Sequence, residues 1–422
     1  MLKDYLATGQ LHFFMLFFIY VWLRWVIIYS QALLYRPYLE SHRISAAVII
    51  PVVDEPEAVF RRVLKSICAQ RPQQIIVVVN GPRNYTLEKL AKEYKGVRVI
   101  WTRKPGKRNA IRVGMRHVTA ELTILVDSDT IWTKDTLREL KKPFKDMSIG
   151  GVTTRQKILD DSRSLVTLFC SIMEEIRAEG TMKAMSVQGS VGCLPGRTIA
   201  FRTSILNSVM KEFTSEKFMG FHKEVSDDRS LTNLTLKLGY KTVAQDTSVV
   251  YTDAPDRWKK FIRQQLRWSE GSQYNNLRMF KWYMFNARLT GFIYLTDMIM
   301  PFFLVGLAGQ TIIGHILGLP NVATLDNSLI LALLVAVTGA VLNVSIRQYK
   351  VVINRPLFLL YMPAFVIILT AVMVPIRLIG LAKSADDLGW GTRESAYSGT
   401  AKAKSRWRRV KETDHVFEPV PA

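Results

Sequence analysis

Four long apolar runs set the main constraint on this chain. Residues 11–34 (LHFFMLFFIYVWLRWVIIYSQALL) and three later blocks, roughly 289–319, 329–346 and 357–382, are each long enough to cross a hydrocarbon layer as a helix. Lipid offers no hydrogen bonds, so a backbone crosses it only as a helix or a closed barrel. The first run is too long for the apolar core of a cleaved secretion signal. Arg24 lies inside it, at an insertion cost of about 2.5–3.5 kcal/mol. It therefore either faces other helices or a wet cavity, or snorkels beside Trp22 and Trp25 in a tilted helix. The runs divide the chain into a transmembrane helix (1–35), a soluble domain (36–287) with interfacial helices at about 258–285, a membrane region (288–382) and a basic tail (383–422).

Loop charge gives an orientation. PNVATLDN, between the second and third runs, has no Lys or Arg, whereas RQYKVVINR, before the last run, has several. The positive-inside rule places the first loop outside and the second inside. The tail, with Arg393, Lys402, Lys404, Arg406, Arg408, Arg409 and Lys411, then belongs inside by charge but outside by a simple count of crossings. Pro363 and Pro375 resolve the conflict if they break the last run into a re-entrant hairpin or a span plus an interfacial helix.

The formal charge of +22 is spread along the chain and accompanies the apolar runs, which favours an anionic membrane face and anionic substrates over nucleic acid. Cys68, Cys170 and Cys193 are few, odd in number and far apart, so neither a disulfide framework nor a zinc cluster is indicated.

Within 36–287, residues 46–53, 74–79, 97–101 and 122–126 are short, continuously apolar and rich in β-branched side chains. Helix-like stretches such as 59–70 and 87–94 lie between them. This alternation predicts an α/β layer with a largely parallel sheet, whose ligands sit beyond the carboxyl ends of the strands. The residues closing those strands include Asp54, Glu55, Asn80, Gly81, residues 104–108 and residues 127–130. Asp127-Ser128-Asp129 directly follows the strand LTILV, and two carboxylates so placed suit Mg²⁺ or Mn²⁺ on a diphosphate. Gly106 permits close backbone approach, with Lys107 and Arg108 supplying positive charge to the same rim.

Ser226-Asp227-Asp228-Arg229 precedes a helical pattern. Ser226 or Asp227 either caps that helix or leaves one carboxylate as a general base, with Arg229 holding the pair ionised. Residues 191–197 form a rigid turn around Cys193, which has no paired His nearby and is a poor nucleophile candidate. In residues 261–276, a helix would bring Gln264, Arg267 and Gly271 onto one face, with Trp268 beside them. The guanidinium then suits a diphosphate and the indole a sugar ring, although the same pattern suits an interfacial amphipathic helix.

These motifs, in this order, resemble the membrane-bound processive family 2 glycosyltransferases, the group containing cellulose, chitin and hyaluronan synthases. Asp127 and Asp129 match the family's Asp-x-Asp, and Asp228 matches the last carboxylate of its Gly-Asp-Asp or Thr-Glu-Asp motif. Gln264, Arg267 and Trp268 match Gln-x-x-Arg-Trp, and Trp390-Gly391-Thr392-Arg393 matches a C-terminal motif of hyaluronan and chitin synthases. Stretches such as GGVTTRQKILD, CLPGRTIAFR and GFHKEVSDDRSLTNLTLK resemble its capsule-forming branch. Val53 and Val79 depart from the family's usual Tyr and Asp.

The resemblance implies a GT-A-like domain set between transmembrane helices and a bacterial, multi-pass membrane location with the domain and tail cytoplasmic. It further implies alternating use of UDP-glucose and UDP-glucuronate to extend a polysaccharide. Hyaluronan synthesis from UDP-N-acetylglucosamine and UDP-glucuronate is the alternative, and a non-catalytic polysaccharide export or binding protein is the rival from another class. The implied roles are a catalytic base in Asp228 with Asp227 and Arg229, and a divalent metal on Asp129 and Asp127. Donor contacts would come from Glu55, Asn80, Lys107, Asp127, Arg267 and Arg393, and acceptor contacts from Gln264, Trp268, Cys193, Pro195, Gly196 and Arg197.

Overall fold

The computed structural model describes residues 2–316 and 345–385. Its centre is an eight-stranded sheet built from β1 (Ala46–Val52), β2 (Gln74–Asn80), β3 (Val97–Thr102), β4 (Leu122–Val126), β5 (Thr130–Trp132), β6 (Ile149–Ile158), β7 (Thr198–Arg202) and β10 (Lys241–Thr252). A separate two-stranded hairpin, β8 (Lys217–Phe218) with β9 (Phe221–His222), stands outside it. The spatial order is β3-β2-β1-β4-β7-β6-β10-β5. The β1–β2, β1–β4, β2–β3 and β6–β10 pairs are parallel, and β7 and β5 run against their neighbours. The expected largely parallel α/β layer is present, with the reversed β7 at its middle.

Side chains of a strand alternate between faces, so each apolar run serves two cores at once. Val48, Ile50, Val77 and Ile124 fill one core, while Ile49, Ile76, Val78 and Leu125 fill the other. Helices cover both faces. In α2 (Glu57–Cys68), Phe60, Val63, Leu64 and Ile67 are buried at the spacing of a single helical face.

The segments that meet the sheet's ligand edge are α4 (Lys107–Met115), α6 (Leu165–Ile176), α9 (Asp227–Lys237) and α10 (Trp258–Asn286). The expected interfacial region is thus one long helix, α10. Beyond it run α11 (Arg288–Ile316) and a helical stretch, Pro356–Ala382. Among the described residues, Arg288–Gly306 and Pro356–Ala382 are long and apolar enough to cross a membrane. The described apolar part of α1 (Leu2–Leu33), Ile19–Leu33, is shorter.

Two membrane-region expectations have an outcome. Pro363 and Pro375 do not reverse the chain. Pro363 lies in the first turn of its helix, where its missing N–H costs nothing, and a wide π-turn at Ile368–Val372 precedes Pro375. Arg24 turns inward rather than snorkelling: it is buried, and it donates to Thr296 Oγ1 at 2.7 Å and to Asp297 Oδ1 at 2.6 Å on α11.

The Pro356–Ala382 stretch packs closely on α10. A Cβ at Gly380 would stand 2.2 Å from Ser269 Oγ, a distance that admits only glycine.

Candidate active site

The ligand edge is organised around two neighbouring carboxylates at the start of α9. Asp227 and Asp228 are its first residues, where the helix dipole favours negative charge. Ser226, at the N-cap position, has φ 57° and makes no capping bond, so the capping role considered for it is not realised. A non-glycine residue in this conformation is held by its surroundings, and Gly271 of α10 supplies part of the hold. A Cβ at Gly271 would stand 2.8 Å from the Ser226 Cβ.

Asp228 is anchored by main-chain donors. Its Oδ2 accepts from the Gly196 N–H at 3.0 Å and its Oδ1 from the Arg229 N–H at 2.7 Å. Burial, then the neighbouring Asp227 charge, push its pKa above the ordinary carboxylate range, against the pull of Lys107 and these donors. Asp227 moves the other way: burial would raise it, but the Lys107 ammonium and, less strongly, Arg108 bring it below its usual value. Adjacent carboxyls driven apart in this way suit different roles.

Lys107, the first residue of α4, ties the two acidic motifs together. Its Nζ lies 2.8 Å from Asp127 Oδ1 and 2.9 Å from Asp227 Oδ2. Gly106 before it has φ 115°, and a Cβ there would approach the Glu224 carboxylate to 3.2 Å. Lys107, not Arg229, therefore gives the acidic pair its counter-charge. Arg229 instead lies with its guanidinium 4.3 Å from the Tyr294 ring centroid, in a cation–π contact with α11.

Two other rim residues face inward. Asn80 is fully buried and both ends of its amide bond to backbone: Nδ2 donates to Val52 O at 3.2 Å and Oδ1 accepts from Gly106 N at 3.2 Å. It shapes the rim instead of presenting its amide to a donor. Arg108 is pinned to Phe213 O at 2.6 Å, Glu216 at 3.0 Å and Val225 O at 2.9 Å, and adds no open charge to the rim.

The Asp-x-Asp loop lies between β4 and β5 and is fixed by its backbone. Asp127 N donates to Arg197 O at 3.1 Å, and Thr130 N to Asp127 O at 3.1 Å. Ser128 Oγ donates to Glu55 Oε1 at 2.9 Å, which ties the end of β1 to this loop, and Thr130 Oγ1 donates to Asp129 Oδ1 at 3.4 Å. Among the described residues no group of three His, Cys, Asp or Glu side chains converges as a metal cage. Two carboxylates at a strand end still fit a Mg²⁺-like ion, which keeps waters and takes substrate phosphate oxygens as its other ligands.

The turn before β7 carries the third part of the site. Arg197 donates from Nη1 to Gln156 Oε1 at 2.8 Å and to Glu174 Oε1 at 2.7 Å, and its guanidinium lies 5.8 Å from the Trp268 ring centroid. Gln156 Nε2 donates in turn to Pro195 O at 3.3 Å. The structure thus joins Pro195, Gly196 and Arg197 to Trp268, which remains 39% exposed. Gln264 and Arg267 are half-buried one turn and one residue away on α10. Burial pushes the Cys193 thiol up to about 12, which leaves it neutral and removes it as a nucleophile. Arg393 lies outside the described residues. Sequence reasoning missed Gln156, Glu174 and Glu224; nothing local distinguishes them from surface polar residues.

Comparison with known proteins shows the family and the fold. A family model described as glycosyltransferase like family 2 matches residues 42–271. An N-acetylglucosaminyltransferase of Azorhizobium caulinodans is 30% identical over 233 residues, 53% of this chain and 59% of that protein. A hyaluronan synthase of Streptococcus pyogenes serotype M1 is 25% identical over 381 residues, 87% of this chain and 88% of that protein. The mannosyltransferase PcManGT from Pyrobaculum calidifontis, solved in complex with GDP-Man and Mn²⁺, superposes with a TM-score of 0.59 at 16% identity, over 90% of this chain and 97% of that one, a likeness of fold. With the family match spanning more than half of its length, the chain belongs to glycosyltransferase-like family 2.

Proposed function

We propose that this protein is a processive, inverting glycosyltransferase that polymerises UDP-glucose and UDP-glucuronate into a β-linked capsular polysaccharide and passes it across a bacterial membrane. The observation that carries the reading is Asp228, a half-buried carboxylate with a raised pKa, anchored by Gly196 N–H beside the Arg197–Trp268 shelf. A base acts best when its pKa approaches the working pH, and a sugar hydroxyl resting on the indole would present its proton to this group. The choice of sugars rests on the sequence resemblance to type 3 capsular polysaccharide synthases of streptococci.

Each residue then has a part in transfer. Asp228 takes the proton of the acceptor hydroxyl as that oxygen attacks the anomeric carbon from the face opposite the leaving diphosphate. Asp227 stays ionised and holds Lys107, and Gly196 holds Asp228 in place. A divalent cation, Mg²⁺ or Mn²⁺, carried by Asp129 with Asp127 would supply charge neutralisation to the departing UDP. Lys107, which pairs with Asp127 and Asp227 at the same rim, would add its charge to that neutralisation. Arg267, and Arg393 from a cytoplasmic tail, complete the phosphate contacts, while Gln264, Trp268 and the turn at residues 193–197 guide the acceptor. The bilayer holds the apolar helices, with the catalytic domain on the cytoplasmic side.

Incubating the purified protein with pairs of labelled UDP-sugars, then digesting the product enzymatically, tests this reading. An alternating glucose–glucuronate polymer is expected, and transfer of a single residue, or no UDP release from any pair, would overturn it. A second reading, hyaluronan synthesis, is favoured by the 25% identity spread over 88% of a hyaluronan synthase. It predicts a product containing N-acetylglucosamine.

A further inference from the structure

In the membrane region the cations outnumber the anion they surround. Asp297 of α11 receives Arg24 at 2.6 Å and Arg377 at 3.9 Å, and Arg347 lies within electrostatic reach of the same carboxylate. Arg24 and Arg347 both lie against one indole, their guanidinium carbons 5.1 and 5.8 Å from the Trp25 ring centroid. Among the described residues three guanidinium groups share this one carboxylate, which leaves positive charge that a further anion would balance.

A second observation points to an absent ligand. Among the described residues, Arg347 Nε is buried without a hydrogen-bond partner, and the adjacent Gln348 is fully buried with neither Nε2 nor Oε1 paired. Buried polar atoms are ordinarily paired. The cluster also borders open space, because the Asp297 and Arg377 side chains keep 36% and 32% of their surface.

Its position connects it with the catalytic helix. Arg229, next to the base Asp228, lies over Tyr294, and Tyr294 is three residues before Asp297 on α11. One helical turn therefore separates the catalytic helix from the cationic cluster. Arg24 is 7% exposed and faces helices, which favours a ligand arriving from the active site over a lipid headgroup.

We propose that Arg24, Arg347 and Arg377, set around Asp297, form a carboxylate-binding station for an acidic sugar chain leaving the Asp228 site. Planar guanidinium groups bind carboxylates through paired N–H donors, and the station rests on the polymer-forming reading above. A bound uronate would supply the missing negative charge and leave at the next step as its neighbour replaced it.

The test uses the full-length protein in nanodiscs of zwitterionic lipid, with calorimetric titration of short uronate-containing oligosaccharides and of their carboxyl-reduced counterparts. The wild type should bind the acidic form about tenfold more tightly, and Arg347→Gln should remove most of that preference while leaving affinity for the neutral form. Arg24→Gln serves as the second variant, with thermal unfolding to verify that each is folded. Equal affinity for the two forms, or a preference that survives both substitutions, overturns the station. So does native mass spectrometry showing a phospholipid lost in Arg347→Gln with the oligosaccharide preference intact, which assigns the cluster to a headgroup. A polymer formed by a wild type with no carboxylate preference sinks this inference alone. Failure to make polymer from any UDP-sugar pair sinks the reading beneath it.

Discussion

The start of α4 and the turn before β7 both bring a cation to the neighbourhood of Asp228, and they hold it differently. Lys107 bridges two carboxylates at 2.8 and 2.9 Å with a compact ammonium on a flexible stem. Arg197 is locked by Gln156 and Glu174 and stacks on Trp268, so its planar head has one orientation. An ammonium can exchange partners when a second cation arrives, while a forked guanidinium in a fixed frame makes a shelf. In the function proposed above, the difference would separate a donor side with exchangeable charge from an acceptor side of fixed shape.

The largest expected effect falls between these two sides. Asp228→Asn should lower polymerisation by at least about 10³-fold while UDP-sugar binding persists, measured by labelled sugar incorporation and nucleotide titration. Loss of nucleotide binding in a folded variant would move Asp228 to the donor side. Stability should respond far less than activity. A carboxyl whose folded-state pKa is raised contributes stability below its unfolded value, and that contribution is lost as pH rises through the folded one. Near neutral pH that contribution is gone, and an Asn keeps only one acceptor for the Gly196 and Arg229 N–H donors, so the variant should unfold close to the wild-type temperature. For the wild type, the rate should fall with decreasing pH at a higher pH than an ordinary aspartate would give, because the base is lost there first.

Next in size, Asp129→Ala should reduce activity about a hundredfold and abolish its response to added Mg²⁺ or Mn²⁺. Activity that survives chelation in the wild type would remove the metal from the donor side. Lys107→Met should cost about 3 kcal/mol of stability, since it leaves Asp127 and Asp227 without their buried counter-charge. Lys107→Arg should recover part of that stability but less of the activity, and full recovery would mean that an exchangeable point charge is not needed. The smallest effect is expected for Arg197→Lys. It should shorten the product and raise the acceptor KM about threefold with kcat nearly retained, and a kcat loss larger than the KM change would place Arg197 at the reacting atoms.

The same two sides differ in how far they can be read from sequence. Residues 46–53, 74–79, 97–101 and 122–126 are largely apolar, broken by Gln74, Arg98 and Thr123, and fall on β1 to β4 within a residue at each end. β6, β7 and β10 are as buried but carry Thr153, Thr154, Thr198 and Thr242, whose hydroxyls find partners inside, so no apolar run marks them. Lys107 and Arg108 are equivalent in a sequence, and only the first turn of α4 sends one to the carboxylates and the other to Glu216 and backbone oxygens. The motif residues Asp127, Asp228 and Trp268 could be found because short-range chemistry fixes their spacing. Gln156 and Glu174 act through Arg197 across 41 and 23 residues, which no local pattern encodes. Asp297 as the partner of Arg24, 273 residues away, was hidden for the same reason.

The contact between Gly380 and Ser269 bears on how the site and the apolar helices are joined. Ser269 follows Trp268 on α10, and the absence of a Cβ at Gly380 lets the two backbones mesh almost like gear teeth. Neither can slide past the other without separating. Any displacement of α10 at this point would therefore be passed to the Pro356–Ala382 stretch, on which Arg377 sits. One missing methyl group thus makes the rim of the site and the apolar helices a single mechanical body.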